Sequence, residues 1–162
     1  QPIIGAVNGA AVTGGFELAL ACDYLFASER ARFADTHARV GILPGWGLSQ
    51  KLSRIIGINR AREMSLTGNF IDAHRAEAWG LVNRICEPET LVTEAMASAG
   101  EIADSDSRAV AALKSLMNDG SRETLGDALV MEGERGNAFA ASVDYSQMSS
   151  RLAALRQRAG KQ

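Results

Sequence analysis

The sequence predicts an α/β domain in which strands and glycine turns come first and helices come last. Three observations carry that expectation. Ile3 to Val7 is a short apolar run bounded by Gly and Asn, the pattern of a strand buried on both faces and flanked by helices. Glycines then gather at turns, in Asn8-Gly9, Gly14-Gly15 and G-I-L-P-G-W-G (41–47), where a side chain would restrict the backbone. Beyond Pro88 the apolar residues recur at helical spacing to the end of the chain. Residues 1–100 are therefore expected to form the α/β core and 101–162 a helical region.

The elements follow in order. After the first strand and its glycine turn, Gly15 to Ala21 are good helix formers, with Phe16, Leu18, Leu20 and Ala21 available for packing. Tyr24 to Ser28 and Ala31 to Ala34 read as short strands joined by a charged, hairpin-like corner. Asp35 to Arg39 reads as a turn, with Thr36 as its N-cap. Loop 41–47 follows, too rich in Gly and Pro for regular structure. Leu48, Leu52, Ile55 and Ile56 give one helix face, ended by Gly57. Asn59 to Leu66 is a second helix stopped by Gly68, and Asp72 caps a third that Gly80 stops. Leu81 to Ile85 is an apolar strand. Glu89 to Ala103, Asp106 to Asn118, Glu123 to Phe139 and Ser146 to Gln157 are amphipathic helices.

Composition excludes several classes. A length of 162 residues suits one domain with a real core, and a net charge of −2 from mixed signs argues against nucleic-acid binding. No apolar run reaches membrane-spanning length, and nothing resembles a targeting peptide. Cys22 and Cys86 lack metal-ligand spacing and are expected to be free thiols in a reducing, cytoplasmic compartment. His37 and His74 are not spaced as a helical metal pair, so no metal is expected. The chain contains no dinucleotide fingerprint after its first strand, no G-K-[S/T] closing the glycine turn and no G-x-S-x-G elbow. Gln1-Pro2 opens directly onto a core strand, which leads us to expect further protein upstream.

One constellation carries chemistry. Free N–H groups at the Gly14-Gly15 helix start, together with the helix dipole, suit an anion or a developing oxyanion. Glu17 stands in the same first turn, where a phosphate loop would carry lysine; a carboxylate beside oxyanion donors points to acyl chemistry. The simpler reading of Glu17 is an exposed glutamate that favours the dipole.

The stretch I-I-G-A-V-N-G-A-A-V-T-G-G-F-E-L-A-L-A-C-D (3–23) resembles the signature of the crotonase superfamily, the enoyl-CoA hydratases and isomerases, usually P-x-I-A-A-V-x-G-x-A-x-G-G-G-x-E-L-A-x-x-C-D. The match runs on through F-A-D-T-H-A-R-V-G-I-L-P-G-W-G-L-S-Q (33–50) and A-R-E-M-S-L-T-G-N-F-I-D-A-H-R-A-E-A-W-G-L-V-N-R-I (61–85). It implies stacked ββα units, with final helices that cover the active site or dock onto neighbouring subunits of a homotrimer or hexamer. The chain resembles roughly the last three-fifths of such a domain, without the part that carries much of the CoA-binding surface and the other oxyanion-hole amide.

The implied activity is that of an enoyl-CoA hydratase-like lyase, with an acyl-CoA thioester as substrate and no cofactor. Gly14 then supplies an oxyanion amide and Glu17 the acid/base, with Gly15 beside them. Such an amide donor is worth about 3 kcal/mol. Hydratases of the family usually carry a second glutamate in F-G-x-P-E-x-x-x-G; aligning Phe33 and Gly41 places His37 there, either as a catalytic group or as a pocket wall. Asp35 is a third ionisable group nearby, on the substrate side or as a solvated turn residue. Gly45 and Trp46 fall where the family lines its acyl pocket, with core packing as the other reading of the indole. Arg156 and Arg158 fall near the basic residues offered to CoA phosphates, or on a solvated helix face. A double-bond isomerase, motivated by the single glutamate, and a catalytically silent acyl-CoA-binding or assembly protein, motivated by the missing N-terminal part and the single glutamate, are the alternatives.

Overall fold

The computed structural model describes residues 1–159. They divide into two compact units, Gln1–Ala111 and Ala112 onward.

Strands β1 (Ile4–Val7), β3 (Tyr24–Ser28) and β6 (Arg84–Cys86) form one parallel sheet in the order β1-β3-β6, with Ala6 beside Phe26 and Ala27 beside Ile85. A second sheet has the order β2-β4-β5, built from β2 (Ala10–Val12), β4 (Arg32–Ala34) and β5 (Ile71–Asp72). Here β2 and β4 run parallel with Val12 beside Ala34, while β5 returns antiparallel with Ile71 beside Phe33. The helices of this unit are α1 (Gly14–Ala19), α2 (Leu48–Ile56), α3 (Ile58–Thr67), α4 (Ala73–Ala78) and α5 (Leu91–Ala103).

The main core joins α1, the second sheet and helices α2 to α4. Phe16, Phe33, Leu48, Leu52, Met64 and Ile71 are buried in it, with the Phe16 and Phe33 rings tilted at 5.6 Å between centroids. A smaller cluster of Phe26, Cys86, Leu91 and Ala95 packs α5 onto the first sheet. Gly68 ends α3 with φ 65°, donating its N–H to the Met64 carbonyl at 2.8 Å. Its missing Cβ leaves room for Arg39, which donates from Nε to the Thr67 carbonyl at 2.6 Å. That bond ties the segment after β4 to α3. Cys22 and Cys86 are free thiols, and burial pushes both up from the ordinary thiol range.

Helix α6 (Ser107–Gly120) begins in the first unit and ends in the second, where α7 (Leu125–Ala140) and α8 (Met148–Ala159) follow. Thr124 caps α7 by accepting from the Asp127 N–H at 3.3 Å. Arg135 donates to Asp119 at 2.6 Å and, with Ser115, holds that carboxyl below its usual range. Neither α6 nor α7 buries a residue, and Leu113, Met117, Leu125, Leu129 and Val130 are exposed. No helix among the described residues is long and apolar enough to cross a membrane.

Several expectations change. The first strand is only partly buried, because β1 lies at a sheet edge and Ala6 is exposed. Leu18 and Ala21 face outward; α1 packs through Phe16, Ala19 and Leu20, one helical stripe. The charged corner at 29–31 is not a hairpin, since β3 and β4 belong to different sheets. Leu81 and Val82 are buried but lie outside the strand: both donate their N–H groups to the Ala76 carbonyl at the end of α4, so β6 starts only at Arg84. Thr36 caps nothing, because its hydroxyl is bonded to that of Thr13. The boundary between the two compact units lies within α6, at Ala111 and Ala112.

Phe33 is fully buried against Phe16 and the strand ladder of β5. Phe33→Ala is expected to cost about 3–5 kcal/mol in urea denaturation, whereas Leu43→Ala, on the exposed loop, shifts stability within about 0.5 kcal/mol.

Candidate active site

The site forms where two parallel strands end. Ligands in α/β proteins bind beyond the carboxyl ends of parallel strands, where the connecting loops converge. Here β2 releases Thr13 and then α1, while β4 releases Asp35, Thr36 and His37 before a 3₁₀ turn at Ala38–Val40. Thr13 joins the two exits: its N–H donates to the Ala34 carbonyl at 3.0 Å, and its hydroxyl is bonded to that of Thr36. Thr13 has φ 53° and ψ −114°. A β-branched residue rarely adopts such a positive φ, and these two bonds hold it there.

That turn aims α1. The first i→i−4 bond of the helix runs from the Glu17 N–H to the Thr13 carbonyl at 2.9 Å, so the N–H groups of Gly14, Gly15 and Phe16 precede any intrahelical partner. Glu17 is 4% exposed, not the solvated first-turn glutamate of the simpler reading. Its Oε1 accepts from the backbone N–H of Trp46 at 2.6 Å and of Leu48 at 3.4 Å. Leu48 opens α2, whose N-cap Gly47 has no side chain to offer. The Glu17 carboxylate therefore takes the place of a cap at a helix start, where negative charge is favoured.

Asp35 is 2% exposed and His37 5% exposed. Burial overturns the reading of Asp35 as a solvated turn residue: Asp35 Oδ1 lies 2.6 Å from His37 Nδ1 and accepts from the His37 backbone N–H at 3.2 Å. On the other side of the imidazole, Nε2 lies 3.8 Å from Glu17 Oε2. That separation exceeds a hydrogen bond and leaves both atoms open to a common small partner. Three ionisable side chains thus form a buried row, Asp35, His37, Glu17, that meets the start of α1.

The remaining candidates lie at varied positions. Gly14 is half-buried and Gly15 exposed at the start of α1, and Gly45 is exposed in loop 41–47. Trp46 is 67% exposed rather than packed in the core, and its ring edge lies 3.6 Å from where a Gly14 Cβ would stand. Arg156 is exposed on α8, in the second unit, and the Arg158 side chain lies outside the described residues. No cluster of three or more His, Cys, Asp or Glu among the described residues is arranged to hold a metal. Sequence reasoning missed Thr13, Thr36 and the amides of Trp46 and Leu48. Thr13 carried one signal, a β-branched residue directly before Gly-Gly, and backbone amides carry none.

The chain matches the family model for enoyl-CoA hydratase/isomerase over residues 1–134. It is 52% identical over 139 residues to the Arabidopsis thaliana protein named "Probable enoyl-CoA hydratase 1, peroxisomal", covering 86% of this chain and 52% of the relative. The crystal structure of an enoyl-CoA hydratase from Bacillus anthracis superposes with a TM-score of 0.88 at 34% identity, covering 98% of this chain and 60% of that one. A relative from Thermobifida fusca, solved in complex with CoA, superposes with a TM-score of 0.81 at 30% identity, covering 86% of this chain and 54% of that one. The chain spans about half the length of the curated relatives it matches.

Because Glu17 both faces the site and terminates α2, truncating it has a structural cost. Glu17→Ala strips the Trp46 and Leu48 amides of their acceptor and is expected to lose about 1–3 kcal/mol in denaturant titration. Glu17→Gln retains an acceptor oxygen and is expected to lose less; equal losses in both variants would contradict the capping role.

Proposed function

The chain belongs to the enoyl-CoA hydratase/isomerase family, matching its model over residues 1–134, and on that premise we propose that the complete protein adds water across the 2,3-double bond of an enoyl-CoA thioester. Addition to a conjugated thioester pushes negative charge onto the thioester oxygen as water attacks the β-carbon. A backbone amide aimed at that oxygen lowers the barrier, and Gly14 is our assignment for it. Glu17 draws the proton from the attacking water, a role in which positioned carboxylates contribute roughly 10²- to 10⁴-fold.

One observation carries this reading. The buried Glu17 Oε2 and His37 Nε2, 3.8 Å apart, leave two acid/base atoms open to the same small partner, and hydration needs two proton transfers, one from water and one to the α-carbon. Double-bond isomerisation needs only one group shuttling a proton between two carbons. His37 in place of the second glutamate keeps that alternative in view, and Asp35 belongs to the support of His37 rather than to substrate contact. Gly15, Gly45 and the exposed Trp46 indole are assigned to the acyl group's path past Gly14.

The protein is further proposed to act as a homotrimer or hexamer. In support, α6 and α7 bury no residue of their own while presenting five large apolar side chains, a surface that a second copy covers. Arg156, exposed on α8, is then a candidate cation for CoA phosphates across such an interface. The free thiols of Cys22 and Cys86 support a reducing compartment such as the cytoplasm.

The reading predicts that a short trans-2-enoyl-CoA loses its conjugated thioester absorbance with the complete protein and yields 3-hydroxyacyl-CoA. Glu17→Gln is expected to lower that rate at least about a hundredfold. A shifted enoyl-CoA as product would favour the isomerase, and thioester binding without turnover a silent binding protein.

A further inference from the structure

Asp35 and His37 hold a proton arrangement that can be read atom by atom. Asp35 Oδ1 accepts the His37 backbone N–H at 3.2 Å, which marks that oxygen as an acceptor. The same oxygen lies 2.6 Å from Nδ1, so the proton between them belongs to nitrogen. Nε2 is then the one ring position free to gain or lose a proton. Across the gap, Glu17 Oε1 is occupied by the Trp46 and Leu48 amides, so any proton on Glu17 sits on Oε2, the oxygen that faces Nε2. Each of the two residues has one exchangeable position, and the two positions face one another at 3.8 Å.

We propose that Asp35 is a positioning residue that locks the His37 imidazole with Nδ1 protonated, so that Glu17 Oε2 and His37 Nε2 share one transferable proton. Its catalytic use rests on the hydration reading above. Before reaction the proton is on Nε2 and Glu17 is ionised. Glu17 Oε2 takes a proton from water as the water oxygen bonds to the β-carbon, and the electron pair of the double bond moves onto the thioester oxygen as an enolate. The enolate collapses, its α-carbon taking the proton from Nε2. Glu17 is now protonated and His37 neutral, with the Nε2 lone pair facing Oε2–H. Transfer of that proton from Oε2 to Nε2 through a water molecule entering the 3.8 Å gap, which accepts one proton and gives up another, restores the starting state. Water has been added, Asp35 has remained a carboxylate throughout, and no other reactant is consumed.

The surroundings limit the ionisable partners. Among the described residues, those that hydrogen-bond or ion-pair His37 through their side chains are Asp35 and Glu17. Arg39, two residues on, is turned away to the Thr67 carbonyl and Asn69 Oδ1. Lys51 lies along Gly47 at the start of α2.

Residues 1–162 hold two histidines, His37 and the exposed His74, and the imidazole signal that disappears from the ¹⁵N-histidine NMR spectrum of the complete protein in a His37→Gln sample is that of His37. On raising the pH until His37 is neutral, the expected spectrum shows Nδ1 protonated and Nε2 bare. In Asp35→Asn that preference is expected to be lost, with kcat falling at least about a hundredfold and KM changing within about threefold. A neutral wild-type His37 protonated at Nε2 overturns the proposal, even if Asp35→Asn fails to fold. So does an Asp35→Asn protein that folds and keeps the wild-type tautomer. Absence of hydration by a wild-type protein with the Nδ1–H form intact overturns the reaction reading and leaves the tautomer lock standing.

Discussion

The site depends on one strand pairing. Parallel register between β2 and β4 sets Val12 beside Ala34, and so it sets the two chain exits, Thr13 and Asp35, beside each other. Everything ionisable in the site lies within four residues of those exits. A slip of one residue would turn Phe33 out of the core and carry Asp35 and His37 together away from Glu17. The pairing spans only three residues, too few to resist slippage alone. It is reinforced at its carboxyl end by the Thr13 N–H to Ala34 carbonyl bond and by the Thr13–Thr36 hydroxyl pair, and from the side by Phe33 packed on Phe16. The unusual backbone of Thr13 is the local cost of this arrangement, a strain sustained because its surroundings determine it from several directions.

Glu17 then joins chemistry to architecture. Its Oε1 terminates α2 through two amides while Oε2 faces His37, so the two oxygens of one carboxylate have different duties. Fixing Oε1 removes the rotational freedom of the side chain and presents one defined oxygen to the site. The arrangement also links loop 41–47 to the Glu17 carboxylate, because the Trp46 amide is one of the anchors. A change in that loop's backbone reaches the carboxylate directly, whereas truncation of the exposed Trp46 indole leaves the amide in place.

Much of this was legible in the sequence, and the boundary has physical reasons. Helices announced themselves by stops and caps: Asp72 accepts from the Arg75 N–H at 2.8 Å, and Gly57, Gly68 and Gly80 all have positive φ. Gly14 and Glu17 were found because one helix turn fixes their relation. The three-residue β2 was not, since Ala-Ala-Val carries no period and its partner lies twenty-two residues away. Nor was the burial of Asp35, which follows from the sheet pairing rather than from its neighbours. Leu81 and Val82 misled for the opposite reason: they are apolar and buried as a strand would be, but their amides serve the end of α4.

The charge balance of the site explains why Asp35 belongs with His37. Two carboxylates flanking one water, the arrangement the family usually carries, hold a net charge of −1 when they share a single proton. A glutamate and a histidine sharing one proton are neutral, whether the proton sits on Nε2 or on Oε2. Replacing the second glutamate by His37 alone would thus make the site one unit more positive. The buried Asp35, 2.6 Å from Nδ1, restores −1 to the set while leaving the number of transferable protons unchanged. Charge held in a low-dielectric interior acts strongly on its neighbours, so the total matters as much as the identity of each group. A lone histidine at position 37 would supply a second acid/base atom but not the electrostatic setting of the pair it replaces. On the proposed hydration reading, Asp35, two residues earlier on the same turn, supplies that setting and fixes the ring in one step, so that the Asp35–His37 unit, rather than His37 alone, is the counterpart of the missing carboxylate.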